Sequence, residues 1–130
     1  MVGELQLLAT AIAIGLVHLL WAAAAARKQQ SLLWAGGSRD EARPVTGVAA
    51  RLDRAFKNFR ETFPFFAAAV LAAYLTGKTG GGLCMWGSVL YVAGRAAYLP
   101  LYASGVRYWR SLVWSVSFLG LVMVLVSLAL

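Results

Sequence analysis

Apolar residues in this chain gather into four runs, Leu5 to Ala26, Phe63 to Thr76, Leu83 to Ala103 and Ser111 to Leu130, and nearly all the charge lies between them. At 1.5 Å rise per residue, three of the runs reach roughly 30 Å, the thickness of a bilayer core. The second covers only about 21 Å, so its helix must take in residues on its N-terminal side. One helix from Ala50 to Thr76 would be about 40 Å long, enough to span and to project beyond the core. The pattern therefore predicts an all-α integral membrane protein, a four-transmembrane-helix bundle with spans near 5–26, 50–76, 83–103 and 111–130 and a loop over 27–49.

Composition agrees with that reading. Of 130 residues 61% are hydrophobic and 13% charged, far from the balance of a soluble globule, and the length suits a single domain. Arg27, Lys28, Arg39, Arg43, Arg51, Arg54, Lys57 and Arg60 precede the second apolar run, and Arg107 and Arg110 lie between the third and fourth. Lys78 alone lies on the opposite side. The positive-inside rule thus puts both termini outside and the basic connections in the cytoplasm; compact loops lean towards a bacterial inner membrane. The net charge of +7 is mostly this asymmetry, and a nucleic-acid partner is not expected.

The first run is read as a permanent span and not a cleaved signal, because its positive charges follow the apolar stretch and Glu4 precedes it. The single cysteine, Cys84, excludes an intrachain disulfide and is expected to be inert. No metal-ligand spacing is present. TGKTGGG, residues 76–82, contains GKT but lacks the glycine spacing and the preceding strand of a phosphate loop. The stretch 29–47 reads as an ordered but irregular loop. His18, alone in the first span, is expected to be a satisfied buried imidazole.

Two polar stripes remain. At 100° per residue Arg51, Arg54, Lys57, Asn58 and Glu61 share one helical face, while Asp53 and Arg60 point elsewhere. In the third span Tyr91, Arg95, Tyr98 and Tyr102 are spaced four, three and four. Arg95 stands about 3 Å from the centre of its run, where a charge costs roughly 2.5 to 3.5 kcal/mol, so it should face the interior with a partner. Glu61 is the first candidate. Pro64 and Pro100 add the freed carbonyls of Arg60 and Ala96 at a similar depth. Taking Arg51, Arg54, Lys57, Arg95, Arg107 and Arg110 against Glu61 leaves five positive charges, which suits a small anion with several carboxylates or phosphates. The structural alternative is that Glu61 and Arg95 tie two helices while the other cations snorkel to lipid phosphates.

RAFKNFRETFPFF, residues 54–66, resembles the second-helix signature of the MAPEG family, the membrane-associated proteins in eicosanoid and glutathione metabolism, with Arg54, Asn58, Glu61 and Pro64 at the family spacing. GRAAYLPLY, residues 94–102, is similar to its third-helix motif, with Arg95, Tyr98 and Tyr102 in place. The resemblance implies a trimer that holds glutathione between subunits near the cytosolic face. It implies that Arg54, Asn58, Glu61, Arg95, Tyr98 and Tyr102 contact the tripeptide, with Arg51 beside them and Arg27 supplied by a neighbouring subunit. It also implies a thiolate-stabilising arginine at the start of the fourth span; Arg110 is favoured and Arg107 stays open. The expected function is a glutathione-dependent transferase or peroxidase acting on a hydrophobic electrophile or lipid peroxide. The alternative is a non-catalytic lipid-binding or scaffold member of the same family.

Overall fold

The computed structural model describes residues 2–106 and 108–130. Five helices follow in chain order: α1 (Gly3–Arg27), α2 (Leu32–Gly36), α3 (Gly47–Leu75), α4 (Gly82–Ser104) and α5 (Tyr108–Ala129). Helices α1 and α5 are long and apolar enough to cross a membrane. The charged face of α3 and the polar stripe of α4 lower their mean hydropathy. All four long helices exceed the 20 residues that match a bilayer core.

The four long helices pack as a bundle, α1 against α3 and α4, and α5 against α4 and α3. The α4–α5 seam is the most extensive and rests on glycine. A Cβ at Gly87 would lie 2.7 Å from the Gly120 carbonyl oxygen, one at Gly120 would lie 2.5 Å from the Gly87 oxygen, and one at Gly94 would lie 2.8 Å from Ser117 Cβ. Small residues let two helix backbones approach closely where van der Waals contact, and not water exclusion, holds helices together. That approach brings the start of α5 beside the end of α4.

Two apolar clusters fill the bundle. One joins Leu8 and Ala11 of α1 to Phe66, Val70, Tyr91, Leu121 and Val124; the other joins Ala25 to Leu52, Ala55, Tyr98, Leu99 and Ala103. In sequence, three of the helices pass between the clusters through polar or aromatic residues: His18 on α1, Phe59 and Thr62 on α3, and Arg95 on α4. Tyr91 stacks on Phe66 at 4.1 Å and shares a 3.0 Å hydrogen bond with Thr62 Oγ1. Its hydroxyl thus has a partner within the bundle, as a buried tyrosine requires.

Three expectations change. The helix ends differ from the expected span ends by a few residues, and α3 begins at Gly47, three residues before the expected start of its span. The connection over 28–46 is not wholly irregular, because Ser31 caps the single turn of α2 by accepting a 3.0 Å hydrogen bond from Trp34 N. His18 is buried, yet neither ring nitrogen has a hydrogen-bond partner among the described residues. The reason is local: the imidazole packs on aromatic rings of α3, 5.0 Å from Phe59 and 6.2 Å from Phe56.

Candidate functional site

The helical register of α3 and α4 turns their polar stripes towards each other. Arg95 is fully buried, and its Nη1 donates a 2.8 Å hydrogen bond to Asn58 Oδ1 across the α3–α4 contact. Its guanidinium also lies over the Tyr98 ring at 4.5 Å and the Phe59 ring at 5.4 Å. A cation on an aromatic face inside a desolvated bundle gains about 2 kcal/mol or more, which offsets part of the cost of burying it. Arg95 Nε and Nη2 have no hydrogen-bond partner among the described residues. The expected partner, Glu61, is not the one found: its side chain is exposed, while the amide one turn earlier takes the contact. An amide accepts from a guanidinium without a second charge having to be desolvated.

One turn towards the basic end, Arg54 Nε donates to the Tyr102 hydroxyl at 3.2 Å, and the guanidinium stands 6.0 Å from that ring. Arg110 approaches the same ring at 4.6 Å. Tyr98 and Tyr102 tilt against each other at 5.4 Å. The tyrosine pair of α4 therefore gathers three arginines from three helices. Of these side chains, Tyr98, Tyr102 and Arg110 border a cavity of about 340 Å³, with Asn58, Ser111, Trp114 and Ser115 completing its lining, while Arg54 and Arg95 stand behind the tyrosines. That volume is at the lower end of what small-molecule sites occupy.

The other residues singled out from the sequence fall elsewhere. Arg51 Nε donates at 3.0 Å to the carbonyl of Ala103, beside Gly105, whose φ of 81° closes α4 in the left-handed conformation. It satisfies a helix-end carbonyl at the edge of the site. Lys57 pairs with Asp53 at 3.1 Å, an exposed contact of the i,i+4 kind worth a few tenths of a kcal/mol, so it does not join the arginine cluster. Arg107 lies outside the described residues. Arg27 faces a second cavity of about 550 Å³ between α1, the α1–α3 connection and α3, whose walls include Gln30, Trp34, Phe56 and Arg60.

Ser111, Trp114 and Ser115 are the lining residues that sequence reading missed. The indole Nε1 of Trp114 is buried without a hydrogen-bond partner among the described residues, and its ring stacks on Phe118 at 5.2 Å. A signal was there to be read: in RSLVWSVSF the polar and aromatic residues recur three and four apart on one face of α5. A hydroxyl-rich cavity with Arg110 in its wall can bind a carboxylate by charge-assisted hydrogen bonds or hold an anionic atom against that guanidinium.

No curated protein matches the chain. The MAPEG family model matches residues 5–130, so the two motifs over 54–66 and 94–102 sit within one alignment that runs almost from end to end. On that match this all-helical membrane chain belongs to the MAPEG family.

Proposed function

We propose that the chain is a membrane-embedded glutathione-dependent transferase or peroxidase with four spans, both termini outside, and the basic end in the cytoplasm of a bacterial cell. The family includes glutathione transferases and peroxidases. The observation that carries the reading is the convergence of Arg54, Arg95 and Arg110, from three helices, on Tyr98 and Tyr102, the tyrosines that with Arg110 line the cavity. Arg54 and Arg95 with Asn58 and the tyrosine hydroxyls bind the tripeptide carboxylates, and Glu61 takes the γ-glutamyl ammonium. Arg110 faces the sulfur. Lowering a thiol pKa of about 8.5 by two units needs about 2.7 kcal/mol of preference for the thiolate, within the range of one charge-assisted hydrogen bond. The thiolate then attacks a hydrophobic electrophile or lipid peroxide that arrives through the bilayer.

The active assembly is a homotrimer. Within its own subunit Arg27 opens onto a different cavity from that of Tyr98 and Arg110, so a role for it at glutathione requires the site of a neighbouring subunit. An apolar cleft of about 490 Å³ between Phe65, Ala69 and Ala72 of α3 and Phe118, Leu121 and Leu125 of α5 suits the hydrophobic second substrate.

The test is ultraviolet difference absorbance of the detergent-solubilised protein titrated with glutathione at neutral pH. A saturable thiolate band that Arg110→Ala abolishes while binding survives is the expected result. Binding without the band would leave a site that does not activate sulfur, and no binding would move the protein to the scaffold reading.

A further inference from the structure

The connection between α1 and α3 is a clasped unit and not a slack tether. Gln29 Nε2 donates to the Thr46 carbonyl at 2.9 Å, and Thr46 N donates back to Gln29 Oε1 at 2.8 Å. Trp34 Nε1 donates to the Glu41 carbonyl at 2.6 Å, and Arg39 stacks over the indole at 5.5 Å. Within this fixed frame α2 turns Trp34 inward against the second cavity and leaves Leu32 79% and Leu33 90% exposed. Two neighbouring leucines held outward by an ordered frame mark a surface that something apolar covers.

We infer that α2 is an interfacial foot, with Leu32 and Leu33 inserted into the headgroup region of an anionic phospholipid bilayer at the basic end of the bundle. The inference rests on the multi-span reading above. Three observations select lipid. Helix α1 ends at Arg27, and at 3.3–3.6 Å per residue the five steps to Leu32 allow at most about 18 Å, which keeps α2 near the membrane surface. Lys28, Arg39 and Arg43 stand exposed in the same connection against Asp40 and Glu41, a net positive segment complementary to anionic headgroups. At the same end α5 opens with Tyr108 83% and Trp109 62% exposed, the aromatic residues that settle at a membrane–water boundary.

The test places one fluorescent label per molecule. Because Cys84 is buried, the parent chain is the labelling blank. Leu33→Cys, Asp40→Cys and Leu20→Cys carry a bimane label and are reconstituted into phosphatidylcholine vesicles with and without phosphatidylglycerol, doxyl-lipid being the quencher. The expected result is lipid quenching at Leu33 at least about twice that at Asp40, rising with the phosphatidylglycerol share. Leu20, exposed on α1, should be quenched throughout. Quenching at Leu20 with Leu33 no different from Asp40 overturns the inference alone. A blue-shifted but unquenched label at Leu33 overturns it in favour of a second copy of the chain, and loss of quenching at both leucines removes the span reading with it.

Discussion

Arg95 Nη1 donates to Asn58 Oδ1 at 2.8 Å, so a buried cation in the middle of α4 is held by a neutral amide on α3. Removing that acceptor leaves a desolvated guanidinium with one fewer partner, and hydrogen bonds to charged groups are worth about 1.5–3 kcal/mol. Asn58→Leu should therefore lower stability by about that amount, read as a fall in the thermal midpoint in detergent. Asn58→Asp, which keeps an acceptor at the same place, should retain more of it.

Tyr102 serves two arginines through different parts of the side chain. Tyr102→Phe deletes the hydroxyl that accepts from Arg54 and keeps the ring face under Arg110. Glutathione binding, followed by titration calorimetry, should weaken about tenfold with the protein still folded, the loss expected for one hydrogen bond to a charged group. An unchanged affinity would remove the Arg54–Tyr102 contact from the binding account.

The α4–α5 seam should be intolerant of volume. A Cβ at Gly120 would meet the Gly87 carbonyl oxygen and Tyr91 N, both at 2.5 Å, so the helices must separate to admit it. Gly120→Leu should destabilise by about 1–3 kcal/mol or more and should also weaken glutathione binding, because the seam places Arg110 beside Tyr102. Thermal unfolding and calorimetry on the same sample check both effects.

At the far end of the bundle Glu4 is buried, and its carboxylate accepts from Gly80 N in the α3–α4 turn. Glu4→Ala should destabilise by about 1–3 kcal/mol through the unpaired amide, yet leave glutathione affinity unaltered. A change in affinity would show that the two ends are coupled.

Much of this arrangement is legible in the chain, for stated reasons. Apolar run length sets helix number and extent, because a segment that buries its polar backbone groups within lipid must be helical. The period of 3.6 residues puts Arg54 with Asn58 and Tyr98 with Tyr102, since residues four apart share a face. The same arithmetic overreached at Lys57, which lies on that face but pairs along its own helix with Asp53. It could not choose between Asn58 and Glu61 for Arg95, because that choice depends on how far one helix is shifted along another.

What the sequence by itself determined is the four long helices, the two polar stripes and the family they mark, all properties of local periodicity and composition, but not the short α2. Only the tertiary structure decided that Asn58 meets Arg95, that Arg110 joins Arg54 on Tyr102, that His18 lies among phenylalanines, and that Arg27 opens onto a separate cavity. These are relations between helices, fixed by the rotation and axial offset of each element against its neighbours. Along the α4–α5 seam that offset is set by the close approach at Gly87, Gly94 and Gly120, where the absence of a side chain lets packing choose the register.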